Sequence, residues 1–284
     1  MCALAKIRAE RDVLSVTDRR IAEFILANAS LLRDYSSQQL ADAIHVSQSS
    51  IVKFSQRLGY KGYPDLKLSV NEAVTRAAVV EETTAGRLAS ADDAGMRLSE
   101  AVWLAKTAAV RQTHDINDTD ILATVAKWIA GADTLILAGS SIEADAARSL
   151  ADRITLLGRR CLTCRQPAEL LGSLSAAGRR DLLIVVCGPG GGKEWVRSCR
   201  EMRSIGGRVV VISRGRGGRI TSVADAGLVV AAHDPRPHIE DLAYEAAMRH
   251  LLDDLFLRVL AARPDSLDTF LTNRGRTLGT PAQR

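Results

Sequence analysis

Two glycine-bearing stretches have the residue types to hold a polar or anionic ligand. Ala138-Gly139-Ser140-Ser141-Ile142-Glu143 and Cys187-Gly188-Pro189-Gly190-Gly191-Gly192-Lys193 each follow a short apolar run and open into a helical pattern. The free N–H groups at such a helix start face the space in front of it, where the helix dipole favours negative charge. Gly139, Ser140, Ser141, Glu143, Cys187, Gly190, Gly191, Gly192 and Lys193 are therefore the candidate ligand contacts. Glu143 is the odd member. A carboxylate there repels an incoming phosphate and offers a charge-assisted hydrogen bond to a hydroxyl or an amine. Glu143, His233, His238 and Glu240 are also candidate general bases. A histidine in a loop is more often simply solvated. Cys161-x-x-Cys164 is a lone pair with no second ligand pair at zinc spacing, so it reads as core packing. No cofactor and no metal are expected.

A second chemistry lies between Ser37 and Gln56, SQQLADAIHVSQSSIVKFSQ. Leu40, Ala41 and Ile44 form one helical face, and Ile51, Phe54 and Leu58 form another that packs against it. Val46 plugs the turn, and Ser47 is placed to cap the second helix. This is the pattern of a helix-turn-helix, whose second helix enters the major groove N-terminus first. Ser37, Ser47, Gln48, Ser49, Ser50, Lys53, Arg57 and Lys61 are the candidate DNA contacts. His45 stands at the turn position usually held by glycine, and histidine is among the residues that tolerate positive φ.

The elements that must position these groups divide the chain of 284 residues into about two domains. Apolar content is 46% and charged content 25%, which excludes a disordered chain. Net charge is +5. Residues 1–77 hold 11 Lys and Arg against 8 Asp and Glu, so the smaller segment is the more basic per residue. No signal peptide and no membrane span is visible, and a cytoplasmic location is expected. The five cysteines, an odd number, argue against a disulfide framework. Thr17 is placed to cap a helix carrying Ile21, Phe24 and Ile25, and Gly59 to end the recognition helix. Pro64 starts a further helix with Leu66, Leu68 and Val70 partly buried. Residues 78–119 read as a partly helical linker, with Trp103 and Leu104 docking its end. From Asp120 short apolar strands (TLILA, RCLTC, DLLIVV, RVVVIS, GLVVA) alternate with helices, which predicts a five-stranded parallel sheet covered on both faces over residues 120–262. With flavodoxin-like order, the first and third strands flank the crevice where ligands bind, and these are the strands that precede the two glycine stretches. Residues 263–284 are polar and read as a flexible tail.

The run LSVTDRRIAEFILAN followed by QLADAIHVSQSSIVKFSQRLGYKGYPDLKLSV resembles the RpiR-type helix-turn-helix of bacterial sugar-responsive regulators. The α/β half resembles the SIS (sugar isomerase) domain in its order of strand, loop and helix. The fold class expected is thus an all-α helix-turn-helix head over residues 1–77 plus an α/β SIS domain. The resemblance implies operator DNA and a sugar, sugar phosphate or amino-sugar effector as partners, with a homodimer or homotetramer and no membrane. It implies a DNA-binding regulator, a repressor of a sugar or amino-sugar catabolic pathway, rather than an enzyme. The alternatives are a sugar-phosphate isomerase with an appended helical domain, and a sensor that has lost its ligand and only dimerises. The loops depart from the family. Where it carries Gly-x-Gly-x-Ser, this chain has Gly139, Ser141 and Glu143; where it carries Ser-x-Ser-Gly-x-Thr, this chain has Cys187, Pro189, Gly190 and Gly192. The family's phosphate-holding hydroxyls are absent from those positions, with Ser140 and Ser141 as substitutes and any anionic part of the effector expected nearer Lys193.

Overall fold

The computed structural model describes residues 3–88, 94–188, 191–262 and 265–277. These divide into two compact units, Met1–Ile116 with Ala231–Ala243 and Asn117–Val230 with Tyr244–Arg284.

The first unit is built on helices α1 (Ala3–Glu10), α2 (Val16–Ala27), α3 (Ser37–Ala43), α4 (Gln48–Arg57), α5 (Tyr63–Leu88) and α6 (Ala94–Ile116). Ser15, not Thr17, caps α2, accepting from the Asp18 N–H at 3.2 Å. The apolar positions that recur at helical spacing converge: Ile21 and Ile25 of α2, Leu40 of α3 and Ile51 and Phe54 of α4 share one core with Leu66 of α5. Leu68 lies outside it, 58% exposed. Within residues 78–119, read as a partly helical linker, α5 runs on to Leu88 and α6 fills Ala94–Ile116, so the described part is mostly helix. Trp103 is exposed rather than docked. Near the end of α6, Thr113 is fully buried, and its hydroxyl bonds both the N–H and the carbonyl of Ala231, at 2.9 and 3.2 Å.

The second unit is a parallel sheet of β1 (Thr134–Ala138), β2 (Arg160–Cys164), β3 (Leu182–Cys187), β4 (Arg208–Ser213) and β5 (Ala226–Val229) in the order β2-β1-β3-β4-β5. Its helices are α7 (Thr119–Gly131), α8 (Ser141–Thr155), α9 (Pro167–Leu174), α10 (Lys193–Ile205), the part of α11 (Pro237–Ala261) from Tyr244 on, and α12 (Ser266–Thr277). This is the flavodoxin-like order the sequence predicts, and β1 and β3 are adjacent, with Leu135 opposite Leu182 and Ala138 opposite Val185. Every residue of β3 is buried, as a central strand between two helical layers requires, while the edge strand β2 leaves Leu162 46% exposed. The other edge, β5, is covered by a side chain. Asn117 Oδ1 accepts from the Val229 N–H at 2.8 Å and Asn117 Nδ2 donates to its carbonyl at 2.7 Å, so one amide replaces a neighbouring strand.

The C-terminal stretch is a correction. Ser266–Thr277 is a helix, not a flexible tail. Phe270 packs on Phe256 with ring centroids 5.4 Å apart, and Asn273 donates to the Leu156 carbonyl at 2.9 Å. The stretch is polar in sequence because the helix has no fully buried residue. No helix among the described residues is long and apolar enough to cross a membrane.

Candidate DNA-binding and effector sites

The helix-turn-helix is held by short-range chemistry. Ser36 and Gln39 form a capping box on α3: Ser36 Oγ accepts from the Gln39 N–H and Gln39 Oε1 accepts from the Ser36 N–H. The end of α3 is met by Arg20 of α2, whose guanidinium donates to the Ile44 carbonyl at 2.7 Å. His45 takes φ +52°, the left-handed turn that glycine would adopt without strain. Ser47 caps α4, accepting from the Ser50 N–H at 3.2 Å, and its hydroxyl bonds those of Ser49 and Ser50 at 2.8 Å each. Gln48 Nε2 donates to Ser37 Oγ at 2.8 Å, which ties the first residues of α3 and α4 together on one side of the motif. Gly59, at φ +81°, ends α4 as expected.

Gln48, Ser49 and Lys53 are exposed on α4, and Ser50 is half-buried. Arg57 is different. Its guanidinium pairs with the carboxylate of Asp18, which is itself buried and bonded by the Ser15 hydroxyl at 2.7 Å. Arg57 thereby bolts the end of α4 to α2, a role its exposed-face spacing concealed. Gln56 was not among the sequence candidates, yet it is exposed and stands three residues after Lys53 and seven after Ser49, on the same outward stripe. Lys61 is exposed, and its backbone N–H donates to Asp65 at 2.9 Å. Of the neighbouring tyrosines, Tyr63 is a packing residue. It is buried, donates to the Tyr35 carbonyl at 3.0 Å, and burial pushes its hydroxyl up to about 12.

At the C-terminal edge of the sheet, the loop after β1 and the start of the loop after β3 come together around Glu143. Gly139 is required by contact: a Cβ there would stand 2.9 Å from both the Val186 carbonyl oxygen and the Glu143 carbonyl carbon. Ser141, at the position of the second glycine in the resembling family, keeps a glycine-like φ of +52°. Ser140 is the N-cap residue of α8, but its side chain does not cap it. Both serines are exposed. Glu143 is buried, and its carboxylate turns toward the β3 loop, where a Cβ on Gly188 would lie 3.2 Å from Oε1. The Tyr244 hydroxyl donates to the same oxygen at 3.5 Å. Tyr244 is fully buried, and burial together with the neighbouring carboxylate drives its ionisation far above the ordinary phenol range. Over its ring, 4.0 Å from the centroid, lies the guanidinium carbon of Arg214, one residue past the end of β4.

The structure thus gathers Gly139, Ser140, Ser141 and Glu143 and adds Gly188, Tyr244 and Arg214, which the sequence candidates omitted. Arg214 had a signal, its place just beyond a strand C-terminus; Tyr244, in the middle of a long helix, had none. Cys187 lies close enough to Glu143 and Tyr244 for their charges to interact, but it is not exposed to a ligand. Its thiol is buried in the core that also holds Trp195 and Cys199, and burial pushes it up to about 12. Gly191 lies against Ile220, where a Cβ would come within 2.9 Å of the side chain, and Gly192 and Lys193 are exposed at the start of α10. Gly190 lies outside the described residues. Of the other candidate bases, His233 and Glu240 belong to the first unit, with His233 Nδ1 3.8 Å from a Glu240 oxygen.

Residues 1–77 match the helix-turn-helix domain of the rpiR family. The chain is 28% identical over 260 residues to the uncharacterised HTH-type transcriptional regulator YfhH of Escherichia coli, covering 92% of each protein. Among solved structures it is similar to the Vibrio vulnificus NanR protein complexed with ManNAc-6P, with a TM-score of 0.60 and 20% identity over 99% of this chain and all of that one. The sugar isomerase domain of an RpiR transcription factor from Sphaerobacter thermophilus matches with a TM-score of 0.57 and 18% identity over 63% of this chain and 99% of that one. Residues 1–77 thus form a helix-turn-helix head of rpiR-family type, and the five-stranded α/β domain has the fold of the sugar isomerase domain.

Proposed function

We propose that this protein is a cytoplasmic, non-enzymatic repressor of a sugar or amino-sugar catabolic pathway, and that a sugar-type effector in the crevice around Glu143 modulates its grip on operator DNA. The observation that carries the reading is the exposed face of α4. Gln48, Ser49 and Lys53 stand free of the core on a helix that Ser47 caps and Arg57 anchors, in a head of rpiR-family type. The N-terminal residues of such a helix meet base edges, and its cations meet phosphate. An amino-sugar effector is supported by the fold-level likeness to NanR, which was solved with ManNAc-6P. Two-fold symmetric operators call for two heads, so the working form is a homodimer or homotetramer.

The test is fluorescence anisotropy of a labelled fragment from upstream of the protein's own gene, titrated with purified protein and then with N-acetylhexosamines and their 6-phosphates. Saturable binding reversed by one sugar class is expected. Failure to bind the fragment above the affinity for random DNA would overturn the operator reading, and turnover of any sugar by the protein would overturn the non-enzymatic one.

A further inference from the structure

Glu143, Tyr244 and Arg214 form a connected polar path at the C-terminal edge of the sheet. The carboxylate is buried at the start of α8 against Gly188, the tyrosine hydroxyl donates to it at 3.5 Å, and the guanidinium covers the tyrosine ring at 4.0 Å. The path runs from the end of β1, past the end of β3, to the end of β4, because Ala138 pairs with Val185 and Cys187 pairs with Ser213. The carboxylate thus lies between the two loops, and the guanidinium reaches toward it from the β4 side, bonded to the tyrosine hydroxyl that also meets Glu143. A second phosphate-holding device is missing as well, since Cys187, at the first hydroxyl position of the β3 loop, has its side chain in the core.

We propose that Glu143 determines the effector's class by acting as a charge filter. Held by Tyr244, it refuses a phosphoryl group at the α8 terminus and takes a hydroxyl or ammonium of the effector instead. The effector's anionic group is received at Arg214. The ligand so defined is an amphoteric or acidic sugar derivative that presents a hydrogen-bond donor and an anion to opposite ends of the path. The proposal rests on the crevice being the effector site, and it names the chemistry of that site. A carboxylate at this depth repels an anion beside it more strongly than a surface carboxylate would, because the local dielectric is low. A guanidinium can give an anion two parallel hydrogen bonds.

The experiment uses inorganic phosphate as the probe, so it does not depend on knowing the effector. Phosphate affinity is measured by ³¹P line broadening and thermal shift for the full-length wild type and for Glu143→Gln, Glu143→Ser and Arg214→Met, each first checked for a cooperative melt. Removing the charge in Glu143→Gln, which keeps the side chain's size, is expected to tighten phosphate binding about tenfold, with Glu143→Ser changing in the same direction. Arg214→Met is expected to weaken the residual phosphate binding of the wild type by about tenfold. Unchanged affinity in both Glu143 variants would overturn the filter, and unchanged affinity in Arg214→Met would overturn the anion site. If the phosphate pattern holds while no sugar releases the operator, the charge filter stands and the sugar-effector reading fails. If sugars release the operator and the pattern is absent, the reverse is true.

Discussion

His45 and Ser141 are L-residues held at φ +52°, one in the helix-turn-helix turn and one at the start of α8. The left-handed region costs a side chain with a Cβ roughly 1–2 kcal/mol, part of which a glycine returns through its freer unfolded state. His45→Gly is therefore expected to stabilise the protein by about 0.5–1 kcal/mol, read as a higher urea midpoint with unchanged slope. A lower midpoint would mean that the imidazole makes contacts worth more than the strain. His233 gives a pH dependence of definite sign. Burial and the nearby Arg8 hold it below its ordinary 6.5, outweighing the opposite pull of Glu240 and Asp234. A depressed histidine favours the folded state while neutral, so its contribution is complete above pH 6.5 and is lost as pH falls through its folded value. The melting temperature of the wild type should accordingly fall further between pH 7.5 and pH 5.5 than that of His233→Asn. Equal losses in the two proteins would remove His233 from the account.

At the level of elements, the edge strand β5 depends on a residue that is not part of the sheet. Asn117 follows α6 and satisfies both backbone groups of Val229. Asn117→Leu keeps the volume but strands a buried N–H and a buried carbonyl, each worth about 1–3 kcal/mol when left without a partner. A loss of about 2–4 kcal/mol is expected, together with faster amide exchange at Val229 and its neighbours than in the interior strands β3 and β4. An unchanged exchange rate at Val229 would show that water replaces the amide at little cost. The same logic explains why the recognition helix keeps its orientation. Ser47 fixes its start, Gly59 its end, and the Arg57–Asp18 pair its pitch against α2.

For the whole molecule, the proposed DNA reading rests on charge and hydrogen-bond donors set on one helix, so on that reading DNA affinity and DNA choice should separate on mutation. On the proposed reading Lys53→Ala removes one phosphate contact per head. It is expected to weaken operator and random DNA alike and to reduce the salt slope by about one unit per head. Gln48→Ala is expected instead to cost about 1–3 kcal/mol of discrimination at one base pair of each half-site with little change in slope. Quantitative footprinting at several salt concentrations separates the two. An unchanged salt slope in Lys53→Ala, or an unchanged base preference in Gln48→Ala, would remove that residue from the interface.

What the sequence determined by itself is what local spacing can carry. Leu40, Ala41, Ile51 and Phe54 announce two packed helices, Ser47 and Gly59 mark where the second begins and ends, and the alternation of short apolar runs with helical patterns announces a parallel sheet. Each of these depends on partners within a turn or two, or on burial so complete that a whole strand turns apolar, as in β3. Only the tertiary structure decided the rest. Arg57 has the spacing of a DNA contact but meets Asp18, 39 residues away. Glu143 has the position of a phosphate ligand but meets Tyr244, 101 residues away, and Asn117 closes β5 from 112 residues away. The helix Ser266–Thr277 is a different case. Leu267, Phe270 and Leu271 stand at helical spacing, but the stripe is one turn long in a polar stretch and buries no residue fully. A charged or polar side chain is chosen for the one partner it meets in the folded chain, and that partner's place is set by the packing of elements rather than by the residues beside it.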